Sequence, residues 1–217
     1  MKKVITLMLS VFVFAGNGNA QLYLEPVIGF QTDLINSSHF NQLNSAIQVG
    51  LKKSKYYELI FQLQINWPIS IYSHDSSFSQ NPAVPLFANA KKTMQPFALS
   101  IAAGNRTPML GRNTNNIISL IAYGGVAYQK IIVTYQYDKS NYIILNPDKS
   151  QKRIGVFLSC GVEYMRLLKN GRAFIQVIIA TPPVGKEMNY PSSFSFIAPL
   201  SLNAGYSIPI KRNRHGK

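Results

Sequence analysis

Cysteine occurs once in 217 residues, at Cys160, so neither an internal disulfide framework nor a cysteine-based metal centre is available. Acidic residues are scarce as well: 8 Asp and Glu face 22 Lys and Arg, a formal charge of +14, and charged residues of both signs make up only 14% of the chain. An average soluble domain carries about 25%, so a water-facing surface of this size would be short of its usual coat. Lipid as one of the two solvents accounts for the deficit. A helical anchor is not the way into it, because the apolar run from Val4 to Ala15 is shorter than the roughly 20 residues a spanning helix needs.

That run has another reading. Lys2 and Lys3 precede it and Gly18-Asn19-Ala20 follow, small residues at the two positions a signal peptidase inspects. The pattern predicts a cleavable secretory signal over residues 1–20, with the mature chain starting at Gln21. No cysteine follows the cleavage point, which argues against a lipoprotein anchor. About 197 residues remain, enough for one barrel or sandwich domain. An exported chain has no access to nucleic acid, and its basic residues fall in turns rather than along one aromatic-studded groove. Anionic headgroups of outer-membrane lipids and lipopolysaccharide phosphates are the expected partners of that charge.

The stretch from Tyr56 to Trp67, YYELIFQLQINW, organises the rest. Tyr57, Leu59, Phe61, Leu63, Ile65 and Trp67 alternate with Glu58, Ile60, Gln62, Gln64 and Asn66, the period of a strand with one apolar and one mostly polar face. Tyr57 and Trp67 are ten positions apart. At about 3.3 Å per residue and a tilt of roughly 40° they lie about 25 Å apart along a membrane normal, the height of an outer-membrane barrel's apolar band.

The same rhythm recurs along the chain. A first strand carries Leu22, Leu24, Pro26, Ile28 and Phe30 on its apolar face; residues 36–44 read as a polar loop, and Ile47, Val49 and Leu51 as a second strand. After the organising strand, residues 68–94 read as one long Ser, Pro, Asn and Ala-rich loop, a length usual only in functional or mobile segments. Strands four to six carry Phe97 to Ala103, Ile118 to Tyr128 and Ile154 to Tyr164, with residues 131–151 as a hairpin standing beyond the membrane. Lys169-Asn170-Gly171-Arg172 is a hairpin turn. Ile175, Val177 and Ile179 belong to a seventh strand whose face their residues do not fix, and Phe196 to Tyr206 form the eighth.

Alternation alone fits a soluble barrel too, since both kinds have an apolar and a polar face. The polar parity here is rich in small residues (Gly29, Gly50, Gly104, Gly125, Gly155, Gly161, Gly205) and lacks the Lys and Glu coat of a water-facing wall. Longer connections alternate with mostly shorter ones, as outer loops alternate with periplasmic turns. The expectation is an all-β, eight-stranded antiparallel up-and-down transmembrane β-barrel over residues 21–210, a monomer, with a basic periplasmic tail over 211–217. A secreted soluble ligand-binding barrel is the competing architecture.

In this pattern the chain resembles the small Gram-negative outer-membrane barrels, the OmpA/OmpX-like porin-family group. Asn203, Gly205, Ile208 and Ile210 look like that group's assembly signal, which implies the barrel-assembly machinery as a partner during insertion. The resemblance implies a non-enzymatic role in membrane structure, adhesion or surface binding. Phe30, Tyr57, Trp67, Phe97, Tyr128, Tyr164, Phe196 and Tyr206 are the expected membrane-interface aromatics.

Chemistry has few places to sit. Glu25, Glu58 and Glu163 fall on the inward parity near the periplasmic end together with Lys52; a lumenal salt-bridge and hydrogen-bond network is favoured over an ion-conducting gate, because unpaired buried charge is costly. Lys53, Lys55, Arg106, Arg112, Arg166, Lys169, Arg172 and the tail residues read as solvated turns on the same side. An eight-stranded lumen is filled by side chains, so no diffusion pore is expected. His74 and Ser76, flanking Asp75, have a His-x-Ser spacing similar to that of outer-membrane lipid A deacylases and are the candidate catalytic pair, although Ser77 stands where those enzymes carry Asn. With His39 and His215 isolated, no metal site and no cofactor is expected.

Overall fold

The computed structural model describes residues 21–33, 41–52, 54, 56–111, 114–181 and 199–210. The expected signal segment, the basic tail, Phe196, Lys53, Lys55, Arg112, His39 and His215 lie outside these. Ten strands are described: β1 Gln21–Asp33, β2 Gln42–Lys52, β3 Glu58–Pro68, β4 Ile71–Ser79, β5 Phe87–Leu110, β6 Asn116–Gln136, β7 Tyr142–Ile143, β8 Gln151–Leu168, β9 Gly171–Ala180 and β10 Pro199–Ile210.

Eight of them close a ring in the order β3-β2-β1-β10-β9-β8-β6-β5, with β5 returning to β3. Every described pairing is antiparallel, so the wall is an up-and-down barrel of eight strands. Closure removes the unpaired edges that lipid cannot solvate.

The wall is apolar outside and polar inside. On β8 the outward residues Ile154, Val156, Leu158, Val162 and Tyr164 are exposed, Leu158 to 67%, while inward Glu163 is fully buried. Strand β9 follows suit: Ile175, Val177 and Ile179 are exposed and Arg172, Phe174, Gln176 and Ile178 buried, which fixes the face its sequence left open. A soluble barrel would have its apolar side chains enclosed.

Several strand limits depart from the sequence reading. Strand β2 begins at Gln42, inside the expected loop 36–44, with Gln42 and Asn44 buried. The supposed loop 68–94 is largely sheet: β4 pairs with the first part of β5 from Ile71↔Met94 to Phe78↔Phe87. Both faces of this ladder are polar enough that no hydropathy alternation marks it. Strands β5 and β6 therefore run on well past the barrel, paired up to Lys91↔Gln136. The expected hairpin over 131–151 is only partly strand: β6 ends at Gln136, and β7 returns as two residues paired to Phe78 and Ser79 of β4.

Candidate functional site

Two assemblies stand out: a charged layer inside the barrel and the sheet projecting beyond it. Period-two alternation puts Glu25, Glu58, Arg106, Glu163 and Arg172 on inward positions of β1, β3, β5, β8 and β9 near the turn end that carries both strand termini, and all five are buried. The Arg106 guanidinium donates from Nη1 to Glu58 Oε1 at 2.8 Å and to Glu25 Oε1 at 3.2 Å, and from Nη2 to Glu25 Oε2 at 2.9 Å and Glu163 Oε2 at 2.8 Å. Its Nε lies 2.7 Å from Glu163 Oε1 as an ion pair without hydrogen-bond alignment. A planar guanidinium thus meets three carboxylates, Glu25 bidentately.

Arg172 locks the other side. Its Nη1 and Nη2 donate to the two oxygens of Glu58 at 2.8 and 2.9 Å, Nη2 also reaches Glu25 at 3.0 Å, and Nε reaches Ser207 Oγ on β10 at 3.0 Å. The guanidinium stacks on the Tyr23 ring, 3.6 Å from its centroid. Gln176 Nε2 donates to Glu163 at 2.8 Å. Six of the eight wall strands meet in this one network, so it holds the barrel's cross-section. Three carboxylates against two guanidiniums leave one formal negative charge, and half-buried Lys52 sits opposite Glu58 in the β2–β3 register.

Glu25, Glu58 and Glu163 are thereby together in space. Arg106 and Arg172, expected in solvated turns, are only 1% and 5% exposed; that expectation is corrected. The turn-like residues around them (Arg106-Thr107-Pro108, Asn170-Gly171-Arg172) hid the signal, which was parity: Arg106 is in step with Ala102 and Gly104, and Arg172 with Phe174 and Gln176.

Outward of the charged layer, Ile60, Ala102, Ile121, Tyr123 and Ile178 form a buried apolar plug with Phe157 packed on it. Beyond the plug lies a cavity of about 70 Å³ lined by the plug's Tyr123, Phe157 and Ile178 together with neutral polar groups including Gln62, Gln64 and Asn66. Gln62, Gln64, Asn66 and Gln31 form a chain of amide hydrogen bonds of 2.6 to 3.1 Å there. Plug and charged layer together block the lumen below this cavity.

The aromatics expected at the membrane interfaces divide between the two ends of the barrel. Phe30, Trp67 and Tyr164 are exposed, and Tyr57, Phe97, Tyr128 and Tyr206 half-buried. Trp67 Nε1 donates to Ser45 Oγ at 2.9 Å and Tyr164 Oη to Asn116 at 2.9 Å, so each ring has its polar end satisfied. Asn203 and Gly205 point inward, where Asn203 accepts from Asn44 Nδ2 at 2.9 Å, while Ile208 and Ile210 are outward and exposed. Cys160 is outward and exposed in mid-β8.

In the projecting sheet, His74 and Ser76 share an exposed face of β4, opposite Lys91 and Asn89. Asp75 is on the other face and accepts from the Ser76 backbone N–H at 3.0 Å, so the acid is not oriented toward His74 as a triad needs. On Asp75's face, Lys92 pairs with Asp148, whose backbone N–H donates to Tyr135 Oη at 2.9 Å. Burial works against the Lys92 ammonium, but the Asp148 carboxylate outweighs it and holds the pKa above the usual lysine value. Burial likewise pushes the Tyr135 phenol up.

No family model and no curated protein matches the sequence. Solved structures do. Neisserial surface protein A (NspA) aligns over 88% of this chain and 99% of its own at 11% identity and a TM-score of 0.53. Ail, the attachment invasion locus protein of Yersinia pestis, aligns over 88% and 97% at 9% identity and 0.45, and the N-terminal β-barrel domain of Pseudomonas aeruginosa OprF over 89% and 98% at 13% and 0.39. At such identities likeness speaks to fold, and NspA carries it. With its closed ring of eight strands, plugged lumen and apolar exterior, the chain has the fold of the small outer-membrane β-barrels.

Proposed function

We propose that this chain is a non-enzymatic integral protein of the outer membrane, exported by cleavage after residue 20, that serves membrane structure, adhesion or surface binding through the sheet it holds outside the barrel. The observation that carries this reading is the inversion of the wall: exposed Ile154, Val156, Leu158 and Val162 on the outside of a barrel that buries Glu25, Glu58, Arg106, Glu163 and Arg172 inside. Such an exterior is stable only against hydrocarbon. The projecting part of β4, β5 and β6 is the rigid surface through which a partner would be met, and lipids and lipopolysaccharide are the surroundings. Asn203, Gly205, Ile208 and Ile210 would be read by the barrel-assembly machinery.

The test is gel mobility of the protein from detergent-extracted outer membranes, with and without boiling. A boiling-dependent shift in the membrane fraction is expected; recovery in the soluble fraction without a shift would overturn the reading. His74→Ala is expected to leave lipid A acylation unchanged by mass spectrometry, and a changed acyl pattern would reinstate a hydrolase.

A further inference from the structure

The outward row at the far edge of the apolar belt contains a pairing that costs free energy as it stands. Lys130 on β6 and Lys152 on β8 are direct register partners, with Lys130 half-buried and Lys152 exposed. Directly opposed positions place Cβ atoms about 5 Å apart, and like charges there repel. One step toward the barrel the same two strands pair Tyr128 with Ile154, then Val126 with Val156, so the lysines sit where apolar wall gives way to headgroups. On the other side Lys130 faces Phe97 of β5.

No described acid relieves them. Glu25, Glu58 and Glu163 are spent on Arg106 and Arg172 in the lumen. Asp148 is paired to Lys92, with Asp75 acting on the same lysine from the neighbouring strand on the same face, and Asp138 bonds Ser140 and Asn141 in the distal turn. Two ammonium groups on apolar stems, side by side at a lipid boundary, present their heads outward and match one phosphate in charge and reach.

Resting on the outer-membrane reading above, we infer that Lys130 and Lys152 form a binding site for the phosphorylated glucosamine headgroup of lipopolysaccharide, with the acyl chains running down the wall past Tyr128, Ile154 and Val156. The headgroup phosphate bridges the two ammonium groups and converts their repulsion into attraction, while Phe97 flanks the sugar. Lipid thereby fastens β6 to β8 at the base of the projecting sheet.

The experiment uses the full-length protein expressed in a Gram-negative host and purified from its outer membranes in neutral detergent, titrated with diphosphorylated lipid A and with its dephosphorylated counterpart. The wild type is expected to favour the phosphorylated lipid by about tenfold, with the preference shrinking at about 0.5 M salt. The double variant K130Q/K152Q loses that preference and keeps its affinity for the dephosphorylated lipid, whereas K139Q in the distal turn changes neither. Equal binding of both lipids by the wild type, or an undiminished preference in the double variant, overturns the site. Displacement of the lipid by equimolar inorganic phosphate overturns the assignment to lipid. The wild-type comparison stands even if the double variant fails to fold. Absence of a boiling-dependent shift would sink the membrane reading itself; a shift without phosphate preference sinks only this site.

Discussion

At the scale of single residues the barrel hangs on Arg106. Replacing it with Met leaves Glu25, Glu58 and Glu163 facing one another with only Arg172 between them, and breaking a buried ion pair from one side costs about 3–5 kcal/mol. Urea unfolding in detergent micelles, followed by the boiling-dependent gel shift, is expected to move to correspondingly lower urea. Arg106→Lys recovers only part of the loss, because a point charge cannot hold Glu25 bidentately while also reaching Glu58 and Glu163. Gly50 is the complementary case: a Cβ there would overlap the Glu58 carboxylate, so Gly50→Ala is expected to displace Glu58 from Arg106 and Arg172 and lower the same midpoint. The three glutamates were legible because strand parity fixes them. Their partners were not, because Arg two positions before Pro or directly after Asn-Gly reads locally as turn.

Among the elements, the projecting sheet is the least like its sequence. Tyr72, His74 and Ser76 alternate with Ser73, Asp75 and Ser77, polar on both faces, so only the ladder to β5 makes β4 a strand. Segment 144–150 is pinned to it through Asp148 and through the bond from Val133 N to Ser150 Oγ at 3.1 Å. Since Lys92 is held above the ordinary value of 10.5, its pairing stabilises fully below that pH and is lost as pH rises through the higher folded value. Hydrogen exchange or limited proteolysis of 144–150 is expected to accelerate above pH 10.5 while the barrel still shows its gel shift; simultaneous loss of both would contradict a separately anchored segment.

For the molecule as a whole, the solvent of the outer wall decides everything else. Leu158, 67% exposed and midway along the β8 belt, is a harmless surface site if the wall meets water. In a bilayer, Leu158→Arg is expected to cost about 2–4 kcal/mol, measured by urea unfolding in lipid vesicles; a change near zero would favour the soluble alternative. The lumen makes the second prediction. With the Ile60, Ile121, Tyr123 and Ile178 plug lying above the ionic layer, planar bilayers are expected to show no sustained pore conductance.

The sequence by itself determined the period of the wall, which residues share a face, the number of strands in the ring and the poverty of charge that points to lipid, because period-two alternation is a local property of the chain. Tertiary structure alone decided the rest. Which arginines neutralise Glu25, Glu58 and Glu163, where β5 and β6 stop, and which lysines stand opposite each other depend on register between strands as far apart in sequence as β1 and β9, and register is set by ring closure rather than by any stretch of residues.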